Sequence, residues 1–475
     1  MVDSSAPLYL CLDQGGHASR AVIIDAVGAV QKIAFRNIST RRDDARVEHD
    51  PAELLASLQE AAAEVLDGYE VCLAGLATQR SSVVCWDRYT GEALSPVLSW
   101  QDRRAADWLE EFKEHEARIH AITGLVLSPH YGVSKLVWCL EHLPQVTQAQ
   151  AEQRLMFGPL ASWLAGRLCG QVPASADPAN ASRTLLWDRV CKDWSTELLQ
   201  LFNVPAGCLP AAVGTRHDWG EIAVSGKGIP LAVVTGDQSA ALFAFGMPDD
   251  ATLYTNLGTG AFLQRTIGQP DFDPGDLLAS VVYADDDTVI SVLEATVNGA
   301  GAAINKFADD NGIDMDVIQQ HSADWLDTFN DDLLYINSIA GLGSPWWLSD
   351  AESCFLGDGT VEAKLAAVLE SIAFLMAVNI EAGNNLLGAT CSRILVTGGL
   401  GRVDPLLQRV ADLSGAEVQR AHVTEATVRG LAFLLTDKPQ DWPDARIEKT
   451  FMPQKNDDLL GRFRRWRSQM PPLAG

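Results

Sequence analysis

The chain opens with an apolar run, Leu8 to Leu12, that stops at Asp13-Gln14-Gly15-Gly16 and resumes at Ala21-Val22-Ile23-Ile24. A third run, "VQKIAFRN", follows. This pattern predicts three strands in an antiparallel meander, with a tight glycine turn and a carboxylate at its mouth. The period then changes. Leu54, Leu55, Leu58, Ala62 and Val65 fall on one face of a helix in "HDPAELLASLQEAAAEVLDG". Asp50 suits its N-cap, Pro51 its first position and Glu53 the capping-box position. "VCLAGLAT" and "SVVCWD" read as further strands, residues 134–142 and 158–167 as helices, and "PLAVVTGDQ" as a buried strand ending in polar residues.

The second half returns to the opening theme. "ATLYTNLGTGAFLQRTIG" is again strand, small-residue turn, strand, and Asn256-Leu257-Gly258-Thr259-Gly260 stands where Asp13-Gln14-Gly15-Gly16-His17 stood. Two such hairpins half a chain apart predict two related domains facing one cleft, or else a chance likeness between glycine turns. The division is expected near residues 244–250, giving domains 1–245 and 246–475. A third glycine site, "RILVTGGLGRVDPLLQRVADLSG", reads as a strand over Ile394–Val396, a turn at Gly398-Gly399-Leu400-Gly401, then a helix. Asp404 is expected to cap that helix, Pro405 to take its first position and Gly415 to end it. A strand, glycines and a helix N-terminus form either an anion cradle or a plain connection.

Composition narrows the class. The chain has 475 residues, enough for two cores, with 47% hydrophobic and 21% charged residues. A formal charge of −26 argues against a nucleic-acid surface and against docking on an anionic membrane. No apolar stretch of about 20 residues is free of charge, so no membrane-spanning helix is expected. The opening "MVDSSAPLYL" lacks a basic region followed by an apolar one, so no secretory signal is expected. Nine scattered cysteines without a CxxC point to a reducing, cytoplasmic compartment.

Eight segments, in order, resemble the FGGY carbohydrate kinase family, and most closely its glycerol kinase-like branch. They are "LDQGGHASRAVIID", "LATQRSSVVCWDRYTGEALSPVLSWQDRR", "TGLVLSPHYGVSKLVWCLEH", "NASRTLLWD", "GDQSAALFAFG", "LGTGAF", "GLGSPWW" and "TGGLGRVDPLLQ". The resemblance implies an α/β chain of two ribonuclease H-like, actin-like ATPase domains around a central cleft. ATP would lie in the cleft with Mg²⁺ on its phosphates, and a small-molecule sugar or polyol hydroxyl would be the acceptor. A homodimer is also implied, though no stretch marks an interface.

The resemblance assigns roles residue by residue. Asp237 would be the catalytic base; read without it, Asp237 serves equally well as a helix N-cap. Asp13 would hold the Mg²⁺–phosphate group, with Asp237 also facing the metal. Gly15, Gly16, His17, Gly258, Thr259 and Gly260 would line the phosphates. Gly398, Gly399, Gly401 and Asn305 would lie against the adenosine. Arg80, Trp100, Asp102, Gln238 and Phe262 would contact the acceptor; Asp102 has a plain alternative in pairing with Arg103 or Arg104. Lys135 lies in a family signature, with a structural role as the plain reading.

Departures from the pattern fall in the same places. Gly16 and His17 stand where the family has hydroxyl residues, which favours a second reading, a kinase-fold sensor that binds sugar or nucleotide without transfer. Ser81 stands where glycerol kinases have a carboxylate, and His130 where they have a tyrosine. Both changes touch the acceptor pocket, and on them the sequence points to an acceptor other than glycerol. An actin-like or chaperone-like ATPase is disfavoured by the "TQRSS…SWQDRR" segment.

Overall fold

The computed structural model describes residues 7–171, 174–224, 226–328, 333–423 and 425–472. The opening meander forms as β1 (Leu8–Gln14), β2 (Ala18–Asp25) and β3 (Val30–Asn37), each antiparallel to the next. Both faces of β1 and β2 are covered, which is why their apolar runs barely alternate. Leu10, Leu12, Ala21 and Ile23 share a core with Leu54 and Leu58 of α1 (Pro51–Leu66). Tyr9, Cys11, Val22 and Ile24 face a second cluster on the other side.

Asp50 caps α1 by accepting from the Ala52 N–H at 2.8 Å. The expected capping box does not form. The Glu53 carboxylate instead accepts from the Ser39 N–H at 2.8 Å, tying the helix to the preceding loop.

The sheet grows by crossover. β4 (Leu73–Thr78) lies parallel to β1, and β5 (Lys227–Gly236) lies parallel to β4. Between them come α2 (Gly132–His142) and α3 (Leu160–Cys169). The "SVVCWD" strand, Val83–Asp87, joins a separate five-stranded sheet. A short helix, α4 (Asp237–Leu242), leaves the end of β5.

The second half rebuilds the same order. β6 (Thr252–Leu257), β7 (Ala261–Ile267) and β8 (Val289–Val297) pair antiparallel in that spatial order, and a further strand, Leu278–Ala284, lies between β7 and β8 in the chain and pairs on the outer side of β8. Then come α5 (Gly301–Asn311), α6 (Val361–Leu387), β9 (Arg393–Thr397), α7 (Asp404–Ser414), β10 (Glu417–Ala421) and α8 (Ala426–Leu435). β9 lies parallel to β6, and β10 parallel to β9. The spatial order β3-β2-β1-β4-β5 is thus matched by β8-β7-β6-β9-β10, with the same strand directions. The sheets change over between Gly236 and Thr252.

Two helices organise the second half, and one of them reaches the first. α6 runs through the second core, and by length and composition alone it could cross a membrane. Here nearly every residue from Ala363 to Ile380 is buried in protein, and its Glu370 pairs with Arg462 at 2.6 Å. α8 crosses back to the first sheet, where Val428 and Leu431 pack in the cluster of Tyr9 and Val22. Gly430 permits this, because a side chain there would overlap the Ala240 carbonyl of α4. The third glycine site forms strand, turn and helix as expected, ending at Gly415 with φ 71°. Asp404 is the first residue of α7, not its cap, and its carboxylate pairs with Arg420 and Lys449.

Candidate active site

Parallel strands direct their C-terminal ends to one side, and here three converge. In the register, Asp13 of β1 and Thr235 of β5 flank Ala77 of β4. Asp13, Arg80 just beyond β4, and Asp237 just beyond β5 therefore meet at one edge of the first sheet. Asp13 is buried and bonded to Arg20 at 3.1 Å. Burial first, and the charge of Asp237 second, push its carboxyl up to about 7. Burial also raises Asp237, opposed by Arg80 and by the Gln238 N–H, which donates to it at 2.7 Å. Gly236, not Asp237, occupies the N-cap of α4; Asp237 is the helix's first residue, and its carboxylate takes the N–H of the second.

The acceptor side is built from the loops after β4 and before α2. Ser81 has φ 63°, a left-handed conformation that turns the chain sharply after Arg80. The buried Lys135 Nζ holds this turn. It donates to the carbonyls of Ser81 at 3.3 Å, His130 at 2.6 Å and Tyr131 at 3.3 Å. The His130 ring lies 5.5 Å from Trp100 and 5.1 Å from Tyr131. Burial, then Lys135, Arg183, Arg103 and Arg80, hold its imidazole well below the usual range and keep it neutral. Gln238 is half-buried beside Asp237, and Phe262 of β7 is 38% exposed.

Asp102 behaves differently from the other acceptor candidates. Both its oxygens are engaged: Oδ1 accepts from Arg104 Nε at 2.9 Å, and Oδ2 from Arg104 Nη2 at 2.6 Å and the Val47 N–H at 2.7 Å. It is 1% exposed and fastens its loop. The plain alternative, pairing with Arg104, describes it; a direct acceptor contact does not.

Arg20, Arg183 and Glu294 are charged residues at the site that the sequence reading did not single out. Glu294 of β8 reaches from the second sheet to Arg80 at 3.0 Å, to Gln264 at 2.9 Å and to Arg183. The two guanidiniums hold its carboxyl far below the usual carboxylate range despite burial. The signal was present as a lone acid in the apolar "VISVLEATV".

On the nucleotide side, the β6–β7 turn is fixed by backbone contacts. The Gly258 N–H donates to the Gly260 carbonyl at 2.9 Å, and the N–H groups of Gly301 and Ala302 donate to the Gly258 and Thr259 carbonyls. Gly398 has φ 92°, and a side chain there would strike the Leu257 carbonyl. Thr259, Gly398, Gly399 and Asn305 are exposed, while Gly401 is buried. In the first turn, the Gly15 N–H donates to the Ala18 carbonyl at 3.0 Å. The Gly16 carbonyl lies 3.5 Å from the Thr40 hydroxyl, and His17 is exposed.

Residues 8–244 match the N-terminal domain, and residues 253–436 the C-terminal domain, of the FGGY family of carbohydrate kinases. The chain belongs to that family. Its relatives include a glycerol kinase of Bordetella parapertussis, 33% identical over 98% of this chain and 97% of that protein. Another is a glycerol kinase of Dechloromonas aromatica, 34% identical over 96% and 95%. Glycerol kinases of this kind place the chain in the glycerol kinase-like branch. In fold it is similar to a Plasmodium falciparum glycerol kinase solved with ADP (TM-score 0.88, 22% identity, covering 98% and 97% of the two chains). It is also similar to a xylulose kinase from Rhodospirillum rubrum (TM-score 0.85, 17% identity, covering 97% and 98%). The protein is a carbohydrate kinase with the two-domain, actin-like fold that the sequence led us to expect.

Proposed function

We propose that this FGGY kinase transfers the γ-phosphoryl group of ATP to a hydroxyl of a sugar or polyol, with Asp237 as the base. The meeting of Asp13, Arg80 and Asp237 at one strand edge carries the reading. Asp237 accepts the proton of the attacking hydroxyl. The new O–P bond forms as the bond to the β-phosphate oxygen breaks, and ADP leaves with that electron pair. The raised proton affinity of Asp237 suits it to this task.

Arg80, Gln238 and the Ser81 turn face the acceptor, with Trp100, His130 and Phe262 as its walls. Gly258, Thr259, Gly260, Gly15, Gly16 and His17 border the phosphates. Gly398, Gly399, Gly401 and Asn305 border the adenosine. Residues 1–245 and 246–475 act as the two domains of the cleft.

Mg²⁺ fits the acidic pair, because Asp13 and Asp237 offer hard oxygens and a cation would relieve the repulsion that raises Asp13. Bound there, the ion would neutralise phosphate charge. The sequence argument against glycerol rested on Ser81 and His130; relatives named glycerol kinase leave it without support, and glycerol heads the acceptor panel.

ADP release over a panel of glycerol, longer polyols, ketoses and sugar acids tests the reading. At least one acceptor should turn over, and Asp237→Ala should lower kcat by about a thousandfold. No turnover with any acceptor, or equal rates for the variant, would overturn it.

A further inference from the structure

Gln79 takes no part in the chemistry described so far. Its backbone N–H donates to the Gln14 carbonyl at 2.8 Å, so it stands beside the first phosphate turn. Its side chain is 2% exposed, yet neither Oε1 nor Nε2 has a hydrogen-bond partner among the described residues. Native proteins rarely leave a buried carboxamide in that state without a ligand or a role. The hydroxyls of Ser81, Thr235 and Ser239, at the ends of the neighbouring strands, are buried and unpartnered as well. Unpartnered donors and acceptors gathered at one strand end suit an oxygen-rich guest.

The position of the carboxamide identifies which part of the guest it meets. A Cβ on Gly16 would lie 3.5 Å from Gln79 Oε1 and 3.9 Å from Trp100 Nε1. The phosphate turn, the carboxamide and the indole N–H therefore converge between the ATP phosphates and the acceptor wall. The next residue, Arg80, is the one proposed above to face the acceptor. Gly16 itself brings no side-chain donor to this spot.

We propose that Gln79 is a catalytic residue of the kinase reaction, its unbonded carboxamide turned over so that Nε2 takes the place Oε1 holds beside Gly16 and donates to an oxygen of the γ-phosphoryl group in transit from ATP to acceptor. This rests on the function proposed above. In the step, the acceptor oxygen bonds to the γ-phosphorus, the bond to the β-phosphate oxygen breaks with its electron pair leaving on ADP, and the acceptor proton goes to Asp237. Gln79 gains and loses no proton. A neutral donor suits the place, because a further cation beside Asp13 and Asp237 would pair with the carboxylates and not with the phosphoryl oxygens.

Gln79→Leu tests the assignment in the full-length enzyme. Kcat should fall about a hundredfold, with both KM values within about threefold of wild type. The melting temperature should hold or rise, because the substitution removes two unpartnered polar atoms. Gly16 is not left-handed, and a Cβ there makes only ordinary contacts. Gly16→Ser therefore offers a hydroxyl at the same spot, and adding it to Gln79→Leu should recover about tenfold in kcat. A kcat for Gln79→Leu within about threefold of wild type would overturn the proposal. So would a loss that Gly16→Ser does not relieve, or a fall in melting temperature that accounts for the lost activity. A wild type that turns over no acceptor overturns the kinase reading, and this assignment with it. Normal wild-type turnover with an indifferent Gln79→Leu overturns this assignment alone.

Discussion

The two hairpins, β1–β2 and β6–β7, occupy the same place in matching strand orders and differ at their tips. Around the first stand Asp13, Arg20, Arg80, Asp237 and Glu425, with His17 at the tip itself. The tip of the second, Asn256-Leu257-Gly258-Thr259-Gly260, carries no ionisable side chain, and α5 packs its backbone N–H groups against it. On the proposed function, one scaffold serves two purposes. The first tip concentrates charge in a buried setting, where it can move a proton. The second offers a narrow, neutral backbone surface, suited to lie close against a nucleotide. The two are joined by Glu294, which leaves the second sheet to pair with Arg80 and Arg183 of the first half.

Removing that junction should have the largest effect on the comparison. Glu294→Gln leaves two guanidiniums partly uncompensated in a buried site, a change that costs on the order of 3–5 kcal/mol when a buried pair is broken. It should lower the melting temperature clearly. It should also raise the acceptor KM by roughly tenfold, because Arg80 loses its fixed direction, while the ATP KM changes least. An ATP KM that rises as much as the acceptor KM would show that the division between a charged and a neutral tip is false.

Lys135 sharpens the same division through pH. Burial pulls its ammonium down to about 7, with Asp102 opposing and Arg103 and Arg104 adding to the shift. The ammonium supplies three donors to three carbonyls, and the neutral amine has only two. Above pH 7 one carbonyl of the acceptor turn therefore loses its partner, and the acceptor KM should rise a few-fold between about pH 6.5 and 8.5. The stability contribution runs the other way. The unfolded chain keeps this proton up to the ordinary lysine value of 10.5, so the stability penalty grows as pH falls from 10.5 towards 7. Lys135→Met should flatten both dependences; an acceptor KM that stays pH-dependent in the variant assigns it to another group.

The sequence revealed what local pattern controls. Apolar runs with glycine tips became the hairpins, and the repeat of that theme became a repeat of strand order. Non-local pairings stayed hidden. Glu294 is 214 positions from Arg80 in the chain, so nothing beside it named its partner. Glu53 and Asp404 were read as caps because their neighbours suit caps, but Ser39 in one case and Arg420 with Lys449 in the other compete for the same oxygens. Asp102 was ambiguous for a physical reason: a carboxylate two residues from an arginine can serve either a ligand or its neighbour, and burial with Arg104 decided it.

The smallest effect separates the tips themselves. Thr259 is an exposed hydroxyl on the neutral tip and His17 an exposed imidazole on the charged one. Thr259→Ala should raise the ATP KM by roughly threefold, because one hydroxyl donor to phosphate is lost. His17→Thr should change the ATP KM by no more than about twofold, because a hydroxyl takes the place of the imidazole N–H. Steady-state ATP titrations of both variants make the test. An ATP KM unchanged in His17→Thr would remove His17 from the phosphate contacts and leave the charge of the first tip to its buried carboxylates and their arginines.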